Sequence, residues 1–131
     1  MNMSKDCLVA SIQADLTADV LAQFREDLLG ELHSKSVRGI ILELSGIEVM
    51  DLSDFESIQS TTAMAKIMGV PTVICGLRPG VVSSLVLLGA DTDDIAATRE
   101  IDMAFELVAT LAARAQAGEV DDDEIASNSR L

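Results

Sequence analysis

The stretch "GIILELSGIEVMDLSDFESIQSTTAMAKIMGVPTVICG", Gly39 to Gly76, decides the fold. It opens on a near-continuous apolar run, Gly39 to Ser45, the pattern of a strand covered on both faces. The period then changes. In "FESIQSTTAMAKIMG", Phe55, Ile58, Thr62 and Ala65 mark one helical face, with Met64, Ile67 and Met68 beside it. Gly69 is a natural stop for that helix, and Pro71 breaks the chain before a second strand-like run, Thr72 to Gly76. A strand, a helix and a strand in this order form a unit of an α/β sheet.

The same alternation extends both ways. Upstream, "CLVASIQ", Cys7 to Gln13, reads as a strand. Thr17 can cap the helix that follows, Asp19 suits its positive end, and Val20, Leu21, Phe24, Leu28 and Leu32 give it one apolar stripe. Downstream, Pro79 suits the first turn of a helix in "LRPGVVSSLVLLG". Val81, Val82, Leu85 and Leu88 supply its buried side, and Gly89 ends it. Asp94 to Thr98 reads as a short last strand. Ile101 to Ala115 reads as the last helix, with Ile101, Phe105, Val108 and Leu111 facing inward. The expected architecture is one α/β domain over residues 1–116, a mostly parallel central sheet with covering helices. Residues 117–131 follow as an acidic, disordered tail carrying Glu119, Asp121, Asp122, Asp123 and Glu124.

Composition narrows the function. The chain has 131 residues, 49% of them apolar, which suffices for a core built from aliphatic side chains. A net charge of −13 disfavours nucleic acid and suits protein partners. Cys7 and Cys75 lie far apart without a CxxC and read as reduced, buried thiols. No apolar run is long enough for a membrane span, and the N-terminus lacks a signal-peptide layout, so the expected location is cytoplasmic.

Enzymatic chemistry finds little support. The one histidine, His33, sits near a helix C-terminus, and no Cys/His cluster has metal spacing. Phosphate-cradling glycine loops and a GxSxG elbow are missing from the sequence. Asp51 could pass for the phosphorylated aspartate of a receiver domain. That chemistry needs an acidic pair after the first strand and a lysine after a later one, and the chain offers Asp15 alone and Arg78. The expectation is therefore no catalysis, no metal and no cofactor.

The corner "VMDLSDF", Val49 to Phe55, concentrates hydroxyl and carboxylate groups at a strand-to-helix turn. Ser53 and Glu56 have the S-x-x-E spacing of a capping box, which by itself explains Ser53. The same helix N-terminus would also tolerate a phosphate. Asp51, Asp54 and Glu56 would make an added charge of roughly −2 repulsive to a docked partner. In "GLRP", Arg78 and Pro79 form either a plain strand-to-helix turn or a docking loop beside that corner, with Arg78 as a strong positive donor.

"VMDLSDF" resembles the M-D-S-S/T corner of STAS-domain anti-sigma-factor antagonists. "AMAKIMGVPTVICGLRPGVVSSLVLLGAD", Ala63 to Asp91, and "CLVASIQADLTADVLAQFREDLL", Cys7 to Leu29, resemble the RsbS-type stressosome scaffolds within that family. The likeness runs from about Cys7 to Ala115 without obvious insertions. It implies a STAS fold without catalysis and a scaffold that self-associates as a dimer within a large complex with RsbR-type co-antagonists. Such a complex holds an RsbT-type switch serine kinase until stress, when phosphorylation releases it, and an RsbX-type phosphatase resets the system. The corner residues Asp51, Asp54 and Glu56, with Arg78 and Pro79, would then dock partners. In the family the phosphoacceptor directly follows the corner acid, and here that residue is Leu52. Either Ser53, one position later, takes over as acceptor, or the chain is a passive scaffold that does not switch. A ligand-binding STAS module is the further alternative.

Overall fold

Strand β1 (Asn2–Ser4) pairs antiparallel with β2 (Cys7–Ser11), Ser4 opposite Cys7 and Asn2 opposite Val9. The two-residue turn between them, Lys5 and Asp6, has positive φ at both positions, 52° and 64°, as the hairpin twist demands. Strands β3 (Gly39–Glu43), β4 (Thr72–Cys75) and β5 (Ala97–Thr98) then add in parallel, giving a sheet in the order β1-β2-β3-β4-β5. This computed structural model describes residues 1–13 and 15–128, with side chains up to Ala117.

Both faces of the sheet are covered, and the strands alternate between two cores with a period of two. Leu8, Ala10, Ile40, Leu42 and Ile74 face helices α1 (Ala18–Ser34), α2 (Leu52–Ile67) and α3 (Pro79–Leu87). Cys7, Ile41, Val73 and Cys75 face α4 (Ile101–Asn128), which contributes Ala104 and Val108. The expected strand–helix alternation is present. The hairpin strand β1 is an addition, since its three exposed residues carry no apolar period.

The helices start and stop where local chemistry permits. Thr17 caps α1 by accepting from the Val20 N–H at 3.1 Å. Helix α2 ends in a Schellman turn: Gly69 adopts φ +85°, its N–H donates to Lys66 O and the Val70 N–H donates to Ala65 O. Gly89 and Ala90 close α3 the same way, onto Val86 and Leu85. Gly39 serves close packing instead, because a Cβ there would collide with Cγ1 of Val108 on α4.

Several expected details differ. On α2 it is Thr61 that is fully buried, donating to Ser57 O, while Thr62 is half-buried. The nine-residue helix α3 buries only Val81 and Leu85, four residues apart on one stripe. Val82 and Leu88 stay 43% and 49% exposed. Ile101, on the first turn of α4, is exposed. The last strand is two residues, Ala97–Thr98, because Asp94 and its neighbours form a turn. The acidic segment 117–131 lies, past Ala117, outside the residues whose side chains are described.

Candidate functional site

The loops after β3 and β4 meet at the C-terminal edge of the parallel strands, where α/β sheets commonly build sites. The β3–α2 loop leads into Asp51, which is the N-cap of α2 with extended backbone (φ −89°, ψ 175°). Asp51 Oδ1 accepts from the Asp54 N–H at 2.8 Å, and Asp54 Oδ2 accepts from the Asp51 N–H at 3.2 Å. This reciprocal box replaces the one expected between Ser53 and Glu56, because the helix begins earlier, at Leu52. The reason is a hydrophobic staple. Met50 precedes the cap and Phe55 follows it by four positions, and both are buried in one cluster. Capping at Ser53 would place Leu52 and Ser57 at those two positions and lose that packing.

Ser53 consequently sits inside the first turn of α2. It is exposed, and its hydroxyl makes no hydrogen bond among the described residues. Glu56, one turn on, is also exposed and does not reach back. Leu52 is half-buried. Partial burial raises the Asp54 carboxyl above its ordinary pKa, against the hydrogen bond from the Asp51 N–H, and the neighbouring Asp51 charge raises it further.

Arg78 caps α3 from the neighbouring loop, with Pro79 at the first helical position. Its Nε donates to the Ser45 carbonyl at 2.8 Å, and its Nη1 lies 3.7 Å from Glu48 Oε1. Both side chains of that ion pair are well exposed, so it is worth at most about 1 kcal/mol. The charge-assisted bond to Ser45 O is the firmer link between the two loops. Among the described residues Arg78 makes no hydrogen bond or ion pair with Ser53 or with the Asp51–Asp54 box. The structure thus brings Asp51, Ser53, Asp54 and Glu56 onto one helix start and sets Arg78 and Pro79 at the start of the neighbouring helix α3.

Sequence reasoning missed the residues under this corner. Glu43 ends β3 and accepts from both the Ser45 N–H (3.2 Å) and the Ser45 hydroxyl (2.8 Å). Gly76 crosses the same carboxylate with φ +78°, a left-handed conformation that favours glycine, and a Cβ there would also push the Glu43 carboxylate aside. The available signal was an acid closing an otherwise apolar strand, "GIILE". Beneath it, burial and then the Glu43 charge push the Cys75 thiol up to about 11. Among the described residues no three His, Cys, Asp or Glu side chains are grouped to hold a metal ion.

Comparison with known proteins follows this geometry. The chain is similar in structure to a Ser-to-Glu variant of RsbS from Moorella thermoacetica, with a TM-score of 0.73 and 23% identity over 86% of this chain and 95% of that one. It is similar also to a chain of the stressosome, described as a signal integration and transduction hub, with a TM-score of 0.69 and 23% identity over 85% and 96% of the two chains. Among curated proteins, none matches this sequence significantly. The STAS domain family matches residues 1–102, which take in every strand of the sheet, the α2 corner and the Arg78 loop. The chain belongs to the STAS domain family.

Proposed function

We propose that this chain is a stressosome-type scaffold and antagonist that docks an RsbT-type switch serine kinase at the α2 corner and releases it when Ser53 is phosphorylated. The observation that carries this reading is the state of Ser53. Its hydroxyl is exposed and unbonded among the described residues, one step inside a helix N-terminus and flanked by the Asp51–Asp54 box. A helix N-terminus accommodates a phosphate, so the fold survives the modification. Glu48, Asp51, Asp54 and Glu56 make the corner acidic already, so a further charge of roughly −2 adds to the local repulsion and must be desolvated by any docked partner. Arg78 holds the two loops in one arrangement, which presents the corner as a preformed surface. RsbR-type sister domains are the expected co-assembly partners, with an RsbX-type phosphatase removing the phosphate. Apolar side chains that α2 and α3 leave exposed, including Ile67, Val86 and Leu87, support association with sister domains.

A second reading, a passive scaffold without a switch, is favoured by Leu52. It stands at the family acceptor position, half-buried and unable to take a phosphate. Incubation with an RsbT-type kinase and ATP, followed by site mapping, separates the two. Phosphate on Ser53, with Ser53→Asp weakening kinase binding at least about tenfold, is the expected result. Intact kinase binding with no phosphate on any residue selects the passive scaffold. Kinase binding unchanged by Ser53→Asp overturns charge gating.

A further inference from the structure

Helix α3 carries no charged residue from Pro79 to its cap at Leu88. Val81 and Leu85 face the core, but Val86 and Leu87 are 62% and 87% exposed, and Val82 and Leu88 are open as well. A helix that is apolar on nearly every side is normally covered on nearly every side. Helix α3 is not. It joins β4 to the edge strand β5, so it is the last helix of its layer, and no described helix packs against its outer side. Gly80, Ser83 and Ser84, also exposed, are small and let a facing helix come near.

Charge selects what covers it. The chain has 22 acids, yet residues 57–90, which hold most of α2 and all of α3, contain none. The other helices show acids outward: Asp19, Glu26 and Asp27 on α1, Asp54 and Glu56 at the start of α2, Asp102 and Glu106 on α4. A basic partner would be drawn to those surfaces and gains nothing from an uncharged helix. A second copy, itself at −13, is repelled by every acidic face and meets no opposing acid on α3. We infer that the outer side of α3 is a homodimer face, where Val82, Val86 and Leu87 pack against the same helix of a second copy about a two-fold axis. Such a contact is self-complementary, since each apolar side chain that one copy offers is also offered by the other. This rests on the proposed function for its scaffold role and assigns a surface to the self-association within it.

Sedimentation velocity on the full-length chain tests it, over a range of salt, with the wild type, V86E/L87E, V86K/L87K and an equimolar mixture of the two variants. Both positions are exposed, so neither variant disturbs the core. The wild type associates more strongly as salt rises, because screening removes the repulsion between like-charged copies and leaves the apolar contact. Each variant alone loses at least about tenfold in association, and the mixture recovers it, acids of one copy facing lysines of the other. V86K/L87K lowers the net negative charge, so its loss cannot come from overall repulsion. Association that weakens with salt, a variant that associates as the wild type does, or a mixture that stays apart overturns the inference. A wild type that is monomeric at every salt, or that joins only an RsbR-type sister domain through these residues, overturns it too. Phosphate mapped to Ser53 of such a monomer keeps the proposed switch while the homodimer face falls.

Discussion

Asp51 accepts from one backbone N–H and donates its own to Asp54, so the start of α2 depends on this residue more than on any hydroxyl nearby. Asp51→Ala should cost about 1 kcal/mol in denaturant unfolding, whereas Ser53→Ala should stay within about 0.5 kcal/mol. Equal losses would return the cap to Ser53. The raised pKa of Asp54 has a signed consequence. A carboxyl whose folded pKa lies above its unfolded one favours the fold below the unfolded pKa and loses that contribution as pH rises through the folded value. The stability of the chain relative to Asp54→Asn should therefore fall as pH climbs out of the carboxylate range, and a pH series of unfolding curves checks the slope. Cys75, at about 11 and buried, should resist alkylation in the native state near neutral pH, and Cys7, buried and also raised by burial, should do the same. Mass spectrometry before and after unfolding reads both. At this scale the acids and hydroxyls of the corner were visible in the sequence, but their division of labour was not. Ser53-x-x-Glu56 and Asp51-x-x-Asp54 both fit capping rules locally, and only the burial of Met50 with Phe55 chooses between them.

Helix α4 approaches the sheet through Gly39, where the missing Cβ makes room for Val108. Gly39→Ala should cost about 1–3 kcal/mol by overpacking. Combined with Val108→Ala it should cost at least about 0.5 kcal/mol less than the sum of the single changes, because the second truncation removes the collision. Additive losses in that double-mutant cycle would show that the contact does not set the helix–sheet distance. Long amphipathic elements such as α1 were legible, since Leu21, Phe24, Leu28 and Leu32 repeat over about three turns. Short ones were not. Nine-residue α3 offers too few turns to tell its buried stripe from its exposed one, and Val82 and Leu88 fell on the wet side. Strand β1 exists only through its pairing with β2, a relation that no local period encodes.

Across the whole molecule two charged features lie at opposite edges of the sheet. The corner follows the C-terminal ends of β3 and β4, and a hollow lined by Lys5 and Arg38 precedes the N-terminal ends of β2 and β3. Sites so separated, without shared partners, should act additively. K5E/R38E is therefore expected to leave kinase affinity unchanged, as a kinase-binding titration of that variant would show. A loss of kinase affinity in K5E/R38E would extend the docking surface to that opposite edge. No described helix is long and apolar enough to cross a membrane.

The alternation of apolar runs with helical stripes was enough to specify an α/β domain, because burial on two sheet faces and on one helix face leaves periods that survive in one dimension. The acidic corner, the glycine stops and the exposed Arg78 were likewise written in residue type. Three things waited for the third dimension: which acid caps α2, how Arg78 ties its loop to Ser45, and the convergence of Lys5 with Arg38. Each is a contact between segments remote in sequence or a choice made by remote packing, and such contacts impose no spacing on the chain that a linear reading could detect.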